Sequence, residues 1–463
     1  MISSLPITIF YPALDVITKD LHTTASAVNL GVSGYKLIQA FAPTLWGPLS
    51  DQWGRRPLYI ITMPVAAAAC AGIGASSTVY TLIVLRMLQA FAGSAIPVTG
   101  SGVITDISTP ATRAGYSSYG SLGYKISLVS GPILGGIITQ HLSWRWIFWV
   151  LPCFIGSVFL IVVMFLPETL PALAGRGYNP TPLQWIQSKM SNKHHYHAIE
   201  LVSTSITTFS AEDPDDAVAV ATTNRFRKVP SFHVPFHNLL EPDILVAMLI
   251  SASYFGAKSC YLVNMSYLFR SYYHLNVQNT SLCFLAQSIG TVASGFIVSP
   301  FLNRTFPERD NGSSMKKCNK VNGRNLPVDF PIYRARLLYI WYHAISAQIL
   351  TAIHGWIFLL NAPVAVPLVL QFFLSINIAF VNSGVRCLVM DLRPAKGAST
   401  AASLTMVRLL FSAIGTALVD PLMTAVGVGW MYTLLGAFLT ISNILLLILL
   451  NYGPAWRFRR EQM

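Results

Sequence analysis

The chain has 463 residues, 53% of them hydrophobic and only 11% charged, with a mean hydropathy of +0.53. A soluble domain carries roughly 25% charged residues and rarely grows past about 250–300 residues, so one large soluble domain is excluded and two would lack the charge to coat them. Lys and Arg number 31 against 18 Asp and Glu, a net charge of +13; such an excess suits nucleic acid only where the bases gather on a polar domain, and here they are spread along the chain. A membrane-spanning helix takes ~20 mostly apolar residues. Runs of that kind lie near residues 1–17, 25–46, 58–77, 79–106, 115–139 and 146–166, then 242–268, 279–301, 335–360, 363–390, 398–424 and 428–451. The pattern predicts an all-α membrane protein of twelve spans.

Two polar segments interrupt it. Residues 167–240 hold Pro, His, Ser and the acidic run Glu212, Asp213, Asp215 and Asp216, and residues 302–333 hold Asn, Gly, Lys and Arg. The first splits the chain into six spans plus six, the division of transporters built from two repeats. The expected units are an N-terminal six-helix bundle over 1–166, a cytoplasmic central loop over 167–239, a C-terminal bundle over 240–451 and a cytoplasmic tail over 452–463.

Loop bases give the orientation, because cytoplasmic loops carry the excess of Lys and Arg. With the N-terminus inside, 22 of the 31 bases fall in cytoplasmic loops, three (Lys19, Arg145, Arg270) in outer loops and six within spans. Both termini are therefore expected in the cytoplasm, and the basic balance is explained by topology and anionic lipid rather than nucleic acid. The first run is short: seventeen helical residues cover at most ~26 Å of a hydrocarbon layer of ~30 Å, and the run contains Pro6, Pro12 and Asp15. A chain that starts partway through helix 1 is the expectation. Five of the six cysteines fall in apolar runs and Cys318 in a basic loop, so no disulfide framework is read. The trio His194, His195 and His197 reads as a solvated loop, with no metal site expected, and Asn279-Thr280-Ser281 is a glycosylation sequon on the outer side.

Three motifs carry a family resemblance. Gly47-Pro48-Leu49-Ser50-Asp51-Gln52-Trp53-Gly54-Arg55-Arg56, between spans 2 and 3, resembles the G-x-L-x-D-x-x-G-R-R signature of the major facilitator superfamily. Gly47 would allow close helix approach, Asp51 would cap a helix N-terminus, Gly54 would make the tight turn, and Arg55, followed by Arg56, would reach Asp106 at the end of span 4 as a charge lock of the outward-open state. Leu82 to Gly93 in span 4 resembles the second motif, L-x-x-x-R-x-x-Q-G, with Arg86 and Gln89 matched and Ala90 in place of the usual Gly. An arginine at mid-membrane marks a function or a buried partner, and in proton-coupled relatives this one is tied to proton transfer. Gly131, Pro132, Gly135 and Gly136 in span 5 resemble the G-P-x-x-G-G motif of superfamily antiporters. With Pro167-Glu168-Thr169-Leu170 after span 6 and Asp329 to Leu337 before span 9, the chain is similar to fungal twelve-span drug:proton antiporters of the quinidine-, polyamine- and dityrosine-handling branch. The second-half copy of the loop signature, Ser299 to Arg304, lacks the D-x-x-G-R-R part.

The six in-span bases are Lys36, Arg86, Lys125, Lys258, Arg386 and Arg408, in spans 2, 4, 5, 7, 10 and 11, while no acid sits mid-span. Charged groups face protein or water rather than lipid, so these spans line the interior. Cavity candidates are Arg86, Gln89, Tyr254, Lys258, Tyr261, Asn382, Arg386 and Arg408, the span 7 tyrosines sharing a helical stripe with the cation. Several bases without a central acid favour anionic or neutral amphiphiles. The resemblance implies the major facilitator fold and a multi-pass plasma-membrane transporter, not an enzyme. It further implies export of small amphiphilic or anionic molecules by alternating access, as a monomer, with protons as partner and no cofactor. The alternatives are a facilitator or symporter such as a sugar porter, or a truncated, non-transporting remnant.

Overall fold

A computed structural model describes residues 2–107, 113–170, 238–304, 332–337, 339–360, 362–392 and 397–462. The histidine trio, Cys318 and nearly all of the central segment lie outside the described residues. The first run is not one helix. Pro12 supplies no N–H to the preceding turn, and the chain divides into α1 (Leu5–Thr8), a 3-10 turn (Tyr11–Ala13) and α2 (Leu14–Asp20). The N-terminal half continues with α3 (Ala25–Trp53), α4 (Arg55–Gly74), α5 (Val79–Ile107), α6 (Arg113–His141) and α7 (Trp144–Phe165). The C-terminal half holds α8 (Pro242–Tyr273), α9 (Val277–Arg304), the short α10 (Ile332–Leu337), α11 (Ile340–Leu359), α12 (Ala365–Leu392), α13 (Gly397–Val426) and α14 (Val428–Gln462).

Several helices outrun the apolar runs. α3 continues through the loop signature to Trp53, and α14 passes through most of the segment read as a tail. Hydropathy registers only the hydrocarbon-embedded part of a helix, whereas backbone hydrogen bonding carries on through the headgroup layer. Eight of the described helices are long and apolar enough to span a bilayer: α4, α5, α7, α8, α9, α12, α13 and α14. Of the other long helices, α3 and α6 carry small and polar residues because they pack against the opposite half, and α11 carries His343, Gln348 and His354.

Within the N-terminal half α5 packs on α3 and α4, and α4 on α7; within the C-terminal half α8 packs on α12, α13 and α14, and α11 on α14. The halves meet along two helix pairs, α3 with α13 and α6 with α9. The glycines of α6 make the second approach possible. A Cβ on Gly131 or Gly135 would strike Thr8 or the Ile9 backbone of the broken first run, and one on Gly136 would strike Ser281 of α9. At the far end of α2, the Trp144 indole (2.9 Å) and Arg145 (2.6 Å) both donate to Asp20 Oδ2. The Trp144 bond, followed by Arg145, holds the Asp20 carboxyl below its usual range and pins α2 to α7.

Overpacking a close backbone contact costs about 1–3 kcal/mol. Gly135→Leu is expected to lower the unfolding temperature in detergent clearly, while Gly93→Ala, whose added Cβ meets nothing within 4 Å, leaves it unchanged.

Candidate functional site

The residues singled out by sequence separate into three places. The first is the end of the N-terminal half where α3 hands over to α4. Gly54 has φ +102°, a conformation that L side chains rarely adopt, and it turns the chain so that α4 starts at Arg55. Arg55 is buried and donates from Nε to Asp106 Oδ2 at 3.0 Å and from Nη1 to Ser50 Oγ at 2.7 Å; Nη1 also lies 2.7 Å from Asp51 Oδ1. Its guanidinium lies against Gly102, where a Cβ would sit 2.6 Å from Cζ. Arg56 donates to the Val163 carbonyl on α7 at 3.1 Å.

Two sequence readings are corrected here. Asp51 does not cap a helix N-terminus: it is exposed, three residues inside the C-terminus of α3, and pairs with Arg55. The cap is Glu168, whose Oε1 accepts from the Arg55 amide at 2.9 Å and whose Oε2 accepts from the Arg56 amide at 3.1 Å, with the Leu170 amide adding a third bond at 3.0 Å. A carboxylate at the positive end of a helix dipole satisfies amides that have no partner inside the helix. Gly47 makes no special approach either, since a Cβ there would meet Val98 at an ordinary 3.8 Å; Gly102 is the glycine that makes room. Both partners of the Arg55–Asp106 pair belong to the N-terminal half, so parting of the two halves does not itself separate them.

The C-terminal half contains a matching contact that sequence reading missed. Arg336 of α10 donates from Nε to Asp391 Oδ2 at 3.0 Å, at the end of α12, with Nη2 at 2.9 Å. A base at the start of the third span of each half thus meets an acid at the end of the fourth span. In the sequence the signal lies in Asp106 and Asp391, each at the end of its apolar run, and not in the Ser299 to Arg304 segment.

The second place is the interior of each half. Arg86 donates from Nη1 to the Pro6 carbonyl at 3.0 Å and to Gln89 Oε1 at 2.9 Å, and its guanidinium lies 3.6 Å from the centre of the Phe10 ring. Gln89 turns its amide to Cys70 Sγ at 2.8 Å. The Tyr254 hydroxyl lies 2.6 Å from Asn443 Oδ1 on α14, and Tyr261 lies 2.5 Å from Thr351 Oγ1 on α11 and stacks on Tyr432. All four face helices of their own half. Spacing placed Tyr254 and Tyr261 on one stripe with Lys258, but both rings turn toward α11 and α14, away from the other half.

The third place is the set of polar contacts among α8, α9, α12 and α13, of which α9 and α13 meet the N-terminal half. Lys258 donates to Thr291 Oγ1 of α9 at 2.7 Å. Arg408 of α13 donates to Ser251 Oγ at 2.7 Å and to the Asn382 carbonyl at 2.9 Å, while Asn382 Oδ1 accepts from Ser251 at 2.6 Å. Arg386 is exposed and acts electrostatically on Arg408. The described contacts between halves run from the Asp15 end toward mid-membrane. They include Arg270 to Asp15 (2.5 Å), Ser266 to the Pro12 carbonyl (3.2 Å), the Val277 amide to Gln140 (3.2 Å), Ser33 with Thr416 (2.9 Å) and Ser288 to the Leu128 carbonyl (2.7 Å). That end of the face is sealed. Asn279, the sequon residue, is exposed at the start of α9.

Two helical bundles meet along a partly polar face, with ion pairs at helix ends. Residues 1–311 match the model of the Major Facilitator Superfamily. The chain is 30% identical over 473 residues to citrate exporter 1 of Aspergillus niger, covering 99% of this chain and 85% of that protein. It is 27% identical over 476 residues to the multidrug transporter QDR2 of Candida glabrata, covering 98% and 78%. The human organic anion transporter MFSD10 (TETRAN) superposes with a TM-score of 0.54 at 14% identity, covering 96% of each chain. The chain belongs to the major facilitator superfamily. It is a multi-pass membrane protein and a secondary transporter of a small molecule.

Loss of an N-terminal cap costs about 0.5–2 kcal/mol. Glu168→Ala is expected to destabilise by that order in thermal unfolding and Glu168→Gln by less, whereas Asp51→Asn, at an exposed carboxylate, changes stability little.

Proposed function

We propose that the chain exports small amphiphilic or anionic molecules across the plasma membrane by proton antiport. Its two halves rock about the α3–α13 and α6–α9 faces. The observation that carries this reading is the set of cations within the C-terminal half. Lys258 of α8 meets the Thr291 hydroxyl, Arg408 of α13 meets the Ser251 hydroxyl and the Asn382 carbonyl, and Arg386 of α12 is exposed, while each acid among the described residues lies near a helix end. A desolvated cation without a fixed carboxylate is a site for an anion brought by the cargo. The likeness to a citrate exporter supports an anionic cargo, and the likeness to a multidrug transporter supports amphiphiles. Lys258, Asn382, Arg386 and Arg408 are assigned to the cargo. Arg86, Gln89, Tyr254 and Tyr261 are assigned to holding the shape of each half. With the loop bases inside, the sealed Asp15 end faces outward and the charge contacts of Arg55 and Arg336 face the cytoplasm.

Reconstituted vesicles loaded with a labelled tricarboxylate test this. Flux is expected to rise with an imposed pH gradient and to fall at least tenfold in Arg408→Gln. Flux indifferent to the gradient removes antiport, and flux restricted to organic cations removes the anionic cargo.

A further inference from the structure

Of the cations inside the described spans, one stands apart. Arg86 has the Pro6 carbonyl, Gln89 and the Phe10 ring; Lys258 has Thr291; Arg408 has Ser251 and Asn382; Lys125 lies 5.9 Å from the Phe296 ring centre; Arg386 is exposed. Lys36 is 2% exposed, and its Nζ is buried with no hydrogen-bond partner.

Its position makes that meaningful. Lys36 lies eleven residues into α3, about 16 Å along the axis at 1.5 Å per residue, near mid-membrane. α3 is the helix that packs against α13 of the other half. One turn toward the Asp15 end, Ser33 and Thr416 close that face with a 2.9 Å bond. The Lys36 side chain acts electrostatically on Cys260 of α8, whose sulfur also packs where Gly415 of α13 lacks a side chain. Lys36 therefore sits in the seam itself. The partners of Arg86 lie within its own half and stay with it when the halves move; Cys260, which lies near Lys36, belongs to the opposite half and leaves it when the seam parts.

A buried amine with no acceptor is costly in the charged form. No carboxylate among the described residues is placed to relieve it, since each lies near a helix end. An anion that enters the parted seam meets a desolvated donor of three N–H groups with no competing protein acceptor. We infer that Lys36 is a second anion-recognition point on the transport path, taking a carboxylate of the cargo as the α3–α13 seam opens, on the half opposite to Lys258 and Arg408. It rests on the anionic-cargo reading above and adds to it: two separated cationic points on opposite halves select cargo with two or more carboxylates over monocarboxylates.

The test compares labelled monocarboxylate and tricarboxylate flux in vesicles carrying wild type, Lys36→Met and Lys36→Arg. Lys36→Met keeps the apolar stem and folds if the amine is not structural; size-exclusion profile and unfolding temperature confirm that before flux is read. The expected result is a rise of tenfold or more in the tricarboxylate KM in Lys36→Met, a monocarboxylate KM changed by less than threefold, and partial recovery in Lys36→Arg. Equal KM values in wild type and Lys36→Met overturn the inference, as does an equal loss for both cargoes. Failure of the anionic reading itself looks different: wild type then carries neither carboxylate. If Lys36→Met does not fold, labelling of a Lys36→Cys variant by a methanethiosulfonate reagent, which forms a mixed disulfide and releases methanesulfinate, replaces it, with protection by tricarboxylate expected and absence of protection contradictory.

Discussion

A charge inside hydrocarbon has no water to solvate it, and a backbone amide or carbonyl there must find its partner within the protein. Much of the interior follows from that. The first run breaks at its prolines, and the break is tolerated because it is covered by protein on both sides. The α6 glycines admit Thr8 and Ile9, the Pro6 carbonyl takes a bond from Arg86, and the Pro12 carbonyl takes one from Ser266 of the other half. The same segment thus anchors the central arginine of one half and seals the seam against the other.

The ends of the helices obey the complementary rule. Near the headgroups, charge is cheap and serves to fix geometry. Glu168 returns from the end of α7 to satisfy the first amides of α4, and Arg55 spans from α4 to Asp106 on α5 through the gap left at Gly102. Arg336 and Asp391 repeat the reach in the C-terminal half without a recognisable copy of the loop sequence. What is preserved between halves is an acid at the end of one helix and a base within reach of it. Helix packing supplies the register, so flanking residues are free to diverge.

Much of the fold was legible because a bilayer imposes a length and a polarity on each span. Eleven of the twelve apolar runs correspond to long helices, and the prolines and shortness of the remaining run marked where the regular helix fails. Of the bases inside spans, Lys36 and Arg86 are buried and Arg386 is exposed. Sequence could not say which interior each base faces. Spacing on α8 put Tyr254, Tyr261 and Lys258 on one stripe, yet a turn of well under a quarter of the helix circumference divides the α11 and α14 side from the α9 side. The role of Glu168 was equally hidden. Its four-residue neighbourhood was conspicuous, but the amides it caps are more than a hundred positions away and are brought together only by the packing of α4 on α7.

The proposed transport cycle depends on one motion, separation of the two halves along α3 and α13, and the Ser33–Thr416 contact bridges that seam in the described structure. The direct measurement is transport by the Ser33→Cys, Thr416→Cys double variant in vesicles, before oxidation, after a disulfide has formed between the two positions, and after reduction. Abolished flux in the cross-linked protein with recovery on reduction is the predicted result. Flux that continues at the uncross-linked rate with the disulfide intact would show that the seam need not part, and would contradict the account.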